Sequence, residues 1–300
     1  MSDLQERPLV TYILASFNHA AYVSAAIDSI ISQDYSPIQL IVIDDGSTDG
    51  SIEILTKLQD KYEFHLITQK NAGIAAVINR GVQLSQGAFI VPHASDDVSH
   101  RGRTSAQVNL LINNPNAGFT VGGIRKISPD GCVLQDWQES KQMITTFNDF
   151  VNGKGGGVAV SCMYRARALS EIGQLDERLT FEDVQLYWRV TELGYDCLID
   201  TSVHAVDYRI IPNSLGRHNL VPHRKSFLLF LERYCNEVWY FKVRTLAKAG
   251  LFSALAERDR IAAVGFLFKN CNELIYSFPL LGIIKLFLPK SLLRIIKKKY

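Results

Sequence analysis

The chain has 300 residues, 47% of them apolar and 21% charged, and a formal net charge of +2. That is apolar material for one large domain, or one domain with an appendage, and too little net positive charge for a nucleic-acid binder driven by charge. Cys132, Cys162, Cys197, Cys235 and Cys271 are dispersed, with no CxxC pair and no zinc-ligand spacing, which fits a reducing cytoplasm better than a disulfide framework. Met1 to Pro8 is polar and charged and carries no signal-peptide pattern.

Leu9 to Ala15 predicts a first strand, and Ser16-Phe17-Asn18-His19 the loop beyond it. Tyr22 to Gln33 spaces Val23, Ala26, Ile27, Ile30 and Ile31 as an amphipathic helix does. Gln39 to Ile43 is short, β-branched and apolar, the composition of a buried parallel strand, and it stops at the acidic doublet Asp44-Asp45. The turn Gly46 to Gly50 leads into a helix over Ser51 to Tyr62, followed by a strand from Phe64 to Thr68 and a helix from Gly73 to Leu84. Ala88 to Val91 is the next strand, and it runs on to a second doublet, Asp96-Asp97. This alternation predicts an α/β fold, a doubly wound, mostly parallel sheet flanked by helices. Ligands of such sheets bind in the crevice beyond the carboxyl ends of the strands, so both doublets face one crevice.

Past Asp97 the pattern gives a helix over Arg103 to Asn113, a strand over Ala117 to Ile127 and a turn at Pro129-Asp130-Gly131. A glycine-rich loop at 152–157 precedes a strand from Val158 to Tyr164, and a helix starts at a third acidic pair, Glu182-Asp183, and runs to about Leu193. From about Leu215 the character changes: Ser226 to Lys248 and Ala254 to Ile275 are helical in pattern, and residues 278–300 are apolar and basic without one acid. Lys285, Pro289, Lys290 and Arg294 interrupt that end too often for a bilayer span, which needs about 20 mostly apolar residues. An amphipathic segment lying on a membrane surface is one reading; a packed helix pair or a contact with a second copy of the chain, making a homo-oligomer, is the other. The expected domains are therefore 1–215 and a helical region, 216–300.

Ala15-Ser16-Phe17-Asn18, Val42-Ile43-Asp44-Asp45-Gly46-Ser47-Thr48-Asp49, Asn71-Ala72-Gly73-Ile74-Ala75, Ser95-Asp96-Asp97 and Glu182-Asp183 together resemble the inverting nucleotide-sugar glycosyltransferases of family 2, which have the GT-A fold. The likeness covers roughly residues 8 to 215 in unbroken order. It implies a nucleotide-sugar donor carrying uracil or thymine, a glycan or lipid-linked glycan acceptor, no nucleic-acid partner, and Mn²⁺ or Mg²⁺ as cofactor. It puts the donor against Ser16, Phe17, Asn18, Asp45, Asn71, Gly73 and Asp96, with Phe17 on the nucleobase and Asp45 accepting a hydrogen bond from it. It gives the metal to Asp97, with Asp96 beside it nearer the ribose or sugar. Asp183 would be the catalytic base and Glu182 would shape the acceptor side.

Each of these residues has a plainer reading. Phe17 would serve in a core, Ser47 or Asp49 would cap the next helix, and Glu182 and Asp183 would favour a helix N-terminus electrostatically. The chain also departs from the family pattern. Ala94 stands where the first acid of the metal motif is usual, and Ile78 where an arginine is frequent, leaving Arg80 or Lys70 to replace it. The Gln-x-x-Arg-Trp sequence of the processive synthases is absent, which implies addition of a single sugar. Tyr208-Arg209 with Asn213-Ser214 matches the segment closing over the diphosphate, with His204, His218 or His223 near it. The basic end suits an enzyme at the cytoplasmic face of a membrane acting on a lipid-linked acceptor, each Lys or Arg contributing on the order of 1 kcal/mol near anionic lipid. Two rivals are a Rossmann dehydrogenase, which needs a glycine-rich turn after the first strand that this chain lacks, and a non-catalytic scaffold that kept the fold.

Overall fold

Strand β1 (Val10–Ser16) is apolar or small along its length and buried almost throughout, as the central strand of a parallel sheet must be. It pairs in parallel with β2 (Ile38–Asp44) on one side and β4 (Phe89–Ala94) on the other, and β3 (His65–Thr68) adds to β2. Ser16 lies level with Asp44, and Ala15 with Ala94, so the three strands end together. This structure is a computed structural model that describes residues 7–137, 142–151, 159–211, 220–234, 247–249, 251–256, 259, 261–264 and 266.

Successive residues of these strands feed two cores. Tyr12, Leu14, Leu40 and Val42 pack with Val23, Ile27 and Ile30 of α1 (Val23–Ile31) and Leu55 of α2 (Ser51–Lys61). Ile13, Ile41 and Ile43 point the other way, to Val77 and Ile78 of α3 (Ile74–Leu84). Each fully buried aliphatic side chain is worth about 1.5–3 kcal/mol, so this alternation fixes which strand residues face which helix layer. Gly81 permits the close approach of α3, because a Cβ there would fall onto the side chain of Ile13.

The second half of the sheet is less regular. It comprises β5 (Val98–Ser99), α4 (Arg103–Asn113), β6 (Ala117–Ile127), β7 (Val133–Gln135), β8 (Met143–Thr145) and α5 (Phe147–Val151). A 3₁₀ turn at Ala159–Ser161 then enters β9 (Cys162–Arg165), followed by α6 (Ala166–Ile172), α7 (Asp183–Glu192) and β10 (Asp196–Arg209). The strand order is β3-β2-β1-β4-β9-β6-β10-β5, with β7 on β6 and β8 on β10. The longest pair, β6 with β10, is parallel, and the short strands run antiparallel to their neighbours. A central, mostly parallel sheet flanked by helices results. The strand expected from Val158 starts only at Cys162, because 159–161 take the 3₁₀ turn; the glycine-rich loop 152–157 lies outside the described residues.

The chain divides into two compact units, residues 1–177 with 181–212, and 178–180 with 213–300. In the second, α8 (Leu220–Tyr234) buries Ser226, Leu228, Phe230 and Leu231, and a further helical stretch at 251–256 buries Leu251, Phe252 and Leu255. The basic end 278–300, Asn213-Ser214 and His218 lie outside the described residues. No helix among the described residues is long and apolar enough to cross a membrane.

Candidate active site

The ends of β1 and β2 form a polar knot. Asp44 is fully buried; its Oδ2 accepts hydrogen bonds from Ser16 Oγ (2.9 Å) and Ser47 Oγ (2.6 Å), and its Oδ1 from Ser47 N (2.8 Å). Asn18 takes a left-handed conformation, φ 54°, which turns its side chain back so that Oδ1 accepts from Thr48 N, while Asn18 N donates to Ser47 Oγ. Asp49 accepts from Ser51 N and Ser51 Oγ and, across the loop, from Ala20 N, so it ties two loops together ahead of α2 rather than sitting at its N-cap, which is Gly50. Phe17 is 40% exposed at the tip of the first loop, outside both cores.

Asp45 sits beside this knot and is buried. Its Oδ1 accepts from Gln69 Nε2 (2.8 Å) and Ala72 N (3.0 Å), and its Oδ2 from Gly73 N (2.8 Å). Asp45 thus joins the end of β2 to the first turn of α3, and brings exposed Asn71 and Gly73 to the same crevice. Gly46 (φ +84°) makes this possible: a Cβ there would meet Asn71 N at 2.9 Å. Ile78 points into the core, whereas Arg80 is exposed and donates from Nη1 to Gln69 Oε1 (3.0 Å).

Asp96 and Asp97 occupy the turn between β4 and β5. Asp97 Oδ1 accepts from Arg209 N (2.7 Å), but Oδ2 is buried and accepts no hydrogen bond among the described residues. Burial and the neighbouring Asp96 hold the Asp97 carboxyl well above the usual carboxylate range, with Arg209 and Arg103 pulling the other way. Burial also raises Asp96, against the pull of His19, whose Nδ1 lies 3.7 Å away and is hydrogen-bonded to Ser95 Oγ (2.8 Å). His19 thereby links the loop carrying Phe17 and Asn18 to the second doublet.

Glu182 and Asp183 open α7. Asp183 Oδ1 accepts from Val184 N (2.7 Å), and Asp183 acts electrostatically on Cys162, Tyr164 and Tyr187, which places it over β9, the strand next to β4. Glu182 keeps part of its surface open, yet the surrounding protein strips water from its carboxyl and, with Asp183 adjacent, pushes its pKa up to about 8. At pH 7 Glu182 therefore mostly carries its proton, and its O–H is a donor.

The family model for glycosyl transferase family 2 matches residues 11–173, more than half of the chain. The chain belongs to that family. An uncharacterized glycosyltransferase of Haemophilus influenzae is 38% identical over 109 residues, 36% of this chain and 44% of that protein. One from Rickettsia prowazekii is 27% identical across 92% of this chain and 93% of that protein. Poly-beta-1,6-N-acetyl-D-glucosamine synthase of Staphylococcus epidermidis is 22% identical across 72% of this chain, which spans 53% of that protein. Among solved structures, S. aureus TarS 1-349 in complex with UDP-GlcNAc superposes with a TM-score of 0.64 at 15% identity, covering 83% of this chain and 76% of that one. The mannosyltransferase PcManGT of Pyrobaculum calidifontis, in complex with GDP-Man and Mn²⁺, gives 0.59 at 15% identity, covering 94% and 88%. The GT-A fold of this family 2 glycosyltransferase follows from those superpositions.

Two residues near the second and first doublets, Arg103 and Gln69, were not singled out by sequence, and a third, Arg209, was named only within the Tyr208-Arg209 segment. Arg209 is buried; it donates from Nε to Asp96 O (2.8 Å) and from Nη1 to Ser128 O and Pro129 O, and its guanidinium lies 4.7 Å from the centre of the Tyr22 ring. Sequence grouped it with a segment over the diphosphate; the structure uses its donors on backbone carbonyls beneath the second doublet. Arg103 is fully buried and donates to Gln107 Oε1, Ser99 Oγ and Cys162 O. Gln69 had one readable signal, its place directly after β3, level with the doublet that ends β2. Of the histidines proposed near the diphosphate, His204 is stacked on Trp137, lies tilted against His100 and is bonded to Asp207, and His223 belongs to the second unit, against Thr180.

Proposed function

We propose that this glycosyltransferase moves one sugar from a UDP- or dTDP-sugar to a hydroxyl of a glycan or lipid-linked glycan, with inversion, in the building of a surface polysaccharide. The observation that carries the reading is Asp97: a strand-end carboxylate oxygen, buried and without a hydrogen-bond partner among the described residues, beside Asp96 on the crevice that Asp45 also borders. An oxygen in that state is costly unless something absent from the protein itself coordinates it. No cluster of three or more His, Cys, Asp or Glu among the described residues is placed to hold a metal alone. Hard divalent cations at phosphate sites are usually held by one or two carboxylates together with the substrate's phosphates, so Asp97 with Asp96 fits that role. A bound Mn²⁺ or Mg²⁺ supplies positive charge against the charge developing on the leaving diphosphate.

The chain's own residues do the rest. Phe17 offers an exposed ring for the base, Asp45 an acceptor, and the Ser16–Asn18 loop a wall for the ribose and phosphates. Asp183 takes the proton from the acceptor hydroxyl as its oxygen bonds to the anomeric carbon, while the bond from that carbon to the diphosphate oxygen breaks on the opposite face. Glu182, protonated at neutral pH, donates a hydrogen bond to the acceptor without competing for its proton. The polysaccharide synthase relative and the UDP-GlcNAc complex of TarS support the choice of acceptor and donor class, and the Mn²⁺ of PcManGT supports the metal. The basic segment 278–300 would hold the enzyme at the membrane carrying a lipid-linked acceptor.

The test is calorimetric titration of UDP, dTDP and GDP into wild type and Asp97→Ala, with and without Mn²⁺. Mn²⁺-dependent binding of UDP or dTDP, weakened roughly a hundredfold in the variant, about 2.7 kcal/mol, is expected. Binding that ignores both Mn²⁺ and the substitution would remove Asp97 from the donor site.

A further inference from the structure

We propose that Gln69, held in place by Arg80, restricts the donor base to uracil or thymine over guanine by leaving Asp45 a single open acceptor position. The proposal rests on the reading of Asp45 as the base-contacting residue. A guanidinium donates and never accepts, so the hydrogen bond from Arg80 Nη1 obliges Gln69 to turn its Oε1 toward Arg80 and its NH₂ toward Asp45. Backbone bonds fix both ends of the pair: Gln69 N donates to Asp44 O (2.9 Å), and Asp45 N to Ser16 O (2.8 Å).

An ionised carboxylate has about four acceptor positions, two on each oxygen. Gln69 Nε2 and Ala72 N occupy both positions on Oδ1, and Gly73 N occupies one on Oδ2. One position on Oδ2 is left. Uracil and thymine present a single N–H on that edge, at N3, flanked by carbonyl oxygens. Guanine presents N1–H and N2–H side by side, a pair that needs both oxygens of a carboxylate. With Oδ1 filled, one guanine donor enters the pocket unmatched, and an unmatched donor removed from water loses affinity. Backbone amides of Ala72 and Gly73 are unaffected by side-chain substitution, so Gln69 is the one of the three donors that a substitution can remove. The neighbouring solved structures hold UDP-GlcNAc in one case and GDP-Man in another, so the fold accommodates either base and the choice must lie in local residues.

The experiment titrates UDP, dTDP and GDP, with Mn²⁺ present, into the full chain as wild type, Gln69→Ala, Arg80→Ala and Asp45→Ala. Wild type is expected to favour UDP or dTDP over GDP, and Gln69→Ala to narrow that ratio roughly tenfold by freeing Oδ1. Arg80 is exposed, so Arg80→Ala tests the same idea without risk to folding: the freed amide can turn, and the ratio narrows by a smaller factor. Asp45→Ala weakens UDP and removes the preference. If Asp45→Ala weakens UDP while neither Gln69→Ala nor Arg80→Ala changes the ratio, the role of Gln69 is overturned and the base site stands. If Asp45→Ala leaves UDP binding unchanged, or wild type favours GDP, the base site itself is misassigned and the proposal falls with it.

Discussion

The candidate site carboxylates live in two opposite surroundings. Asp44 and Asp45, where β2 ends, each accept three hydrogen bonds from nearby hydroxyl, amide and backbone groups. Asp97 and Glu182, at the β4–β5 turn and the start of α7, are desolvated, and each is pressed by an acidic neighbour. The first pair spends nearly all its capacity on holding loops; the second keeps capacity and charge in reserve. On the function proposed above, the same residue type is a fastener in one region and a reagent in the other, and its supply of donors decides which.

The contrast is tested most severely at Asp183. Asp183→Asn keeps the shape and the hydrogen-bond acceptor but removes the base, so kcat should fall by roughly 10²–10⁴-fold with UDP binding and thermal stability close to wild type. Release of nucleotide from a UDP-sugar in the presence of acceptor measures it. Turnover surviving at the wild-type rate would return Glu182-Asp183 to the plainer role of favouring a helix N-terminus.

Asp44→Ala should show the reverse. Ser16 Oγ, Ser47 Oγ and Ser47 N would lose their acceptor at a buried strand end, costing roughly 2–4 kcal/mol of stability in a denaturant titration. Any loss of activity that comes from unfolding should be regained at lower temperature, where more of the variant stays folded. A variant as stable as wild type would mean that these bonds are replaced by water, and the division between fasteners and reagents would lose its clearest member.

How much of this was legible in the sequence follows the same division. β1 to β4 and their helices were readable to within a few residues, because each is a buried strand of apolar residues alternating with an amphipathic helix. β10 was not seen: polar Asp200, Thr201 and Ser202 interrupt its apolar run, and its register with β6 shifts between Asp200 and His204 and again before Val206. β5, β7 and β8 are two or three residues long, too short for any periodicity. Among the candidate site residues, Asp44-Asp45 and Asp96-Asp97 stood out in the sequence because doublets following apolar strands are conspicuous. Gln69 was not, since its part depends on Arg80, eleven positions on and one helix away. The structure also exposes what motif spacing hides: Phe17 is outside the cores, and Asp45 is already engaged by three donors.

Glu182 is isolated by the pH dependence of stability. In the unfolded chain its carboxyl would titrate near 4.5, and in the folded chain near 8. Between those values the folded protein holds a proton that the unfolded chain has released. Stability therefore falls as pH rises through this window, and levels off above about 8, where both states are ionised. Glu182→Gln is neutral throughout, so the part of the decline due to this residue should vanish: the variant gains on wild type from pH 5 to pH 8 in paired melting curves. Parallel curves would mean that Glu182 is as well solvated as an ordinary surface acid. In that case it would be ionised beside Asp183 at neutral pH, and the division of labour in which one acid donates a hydrogen bond while the other accepts the proton would have no electrostatic basis.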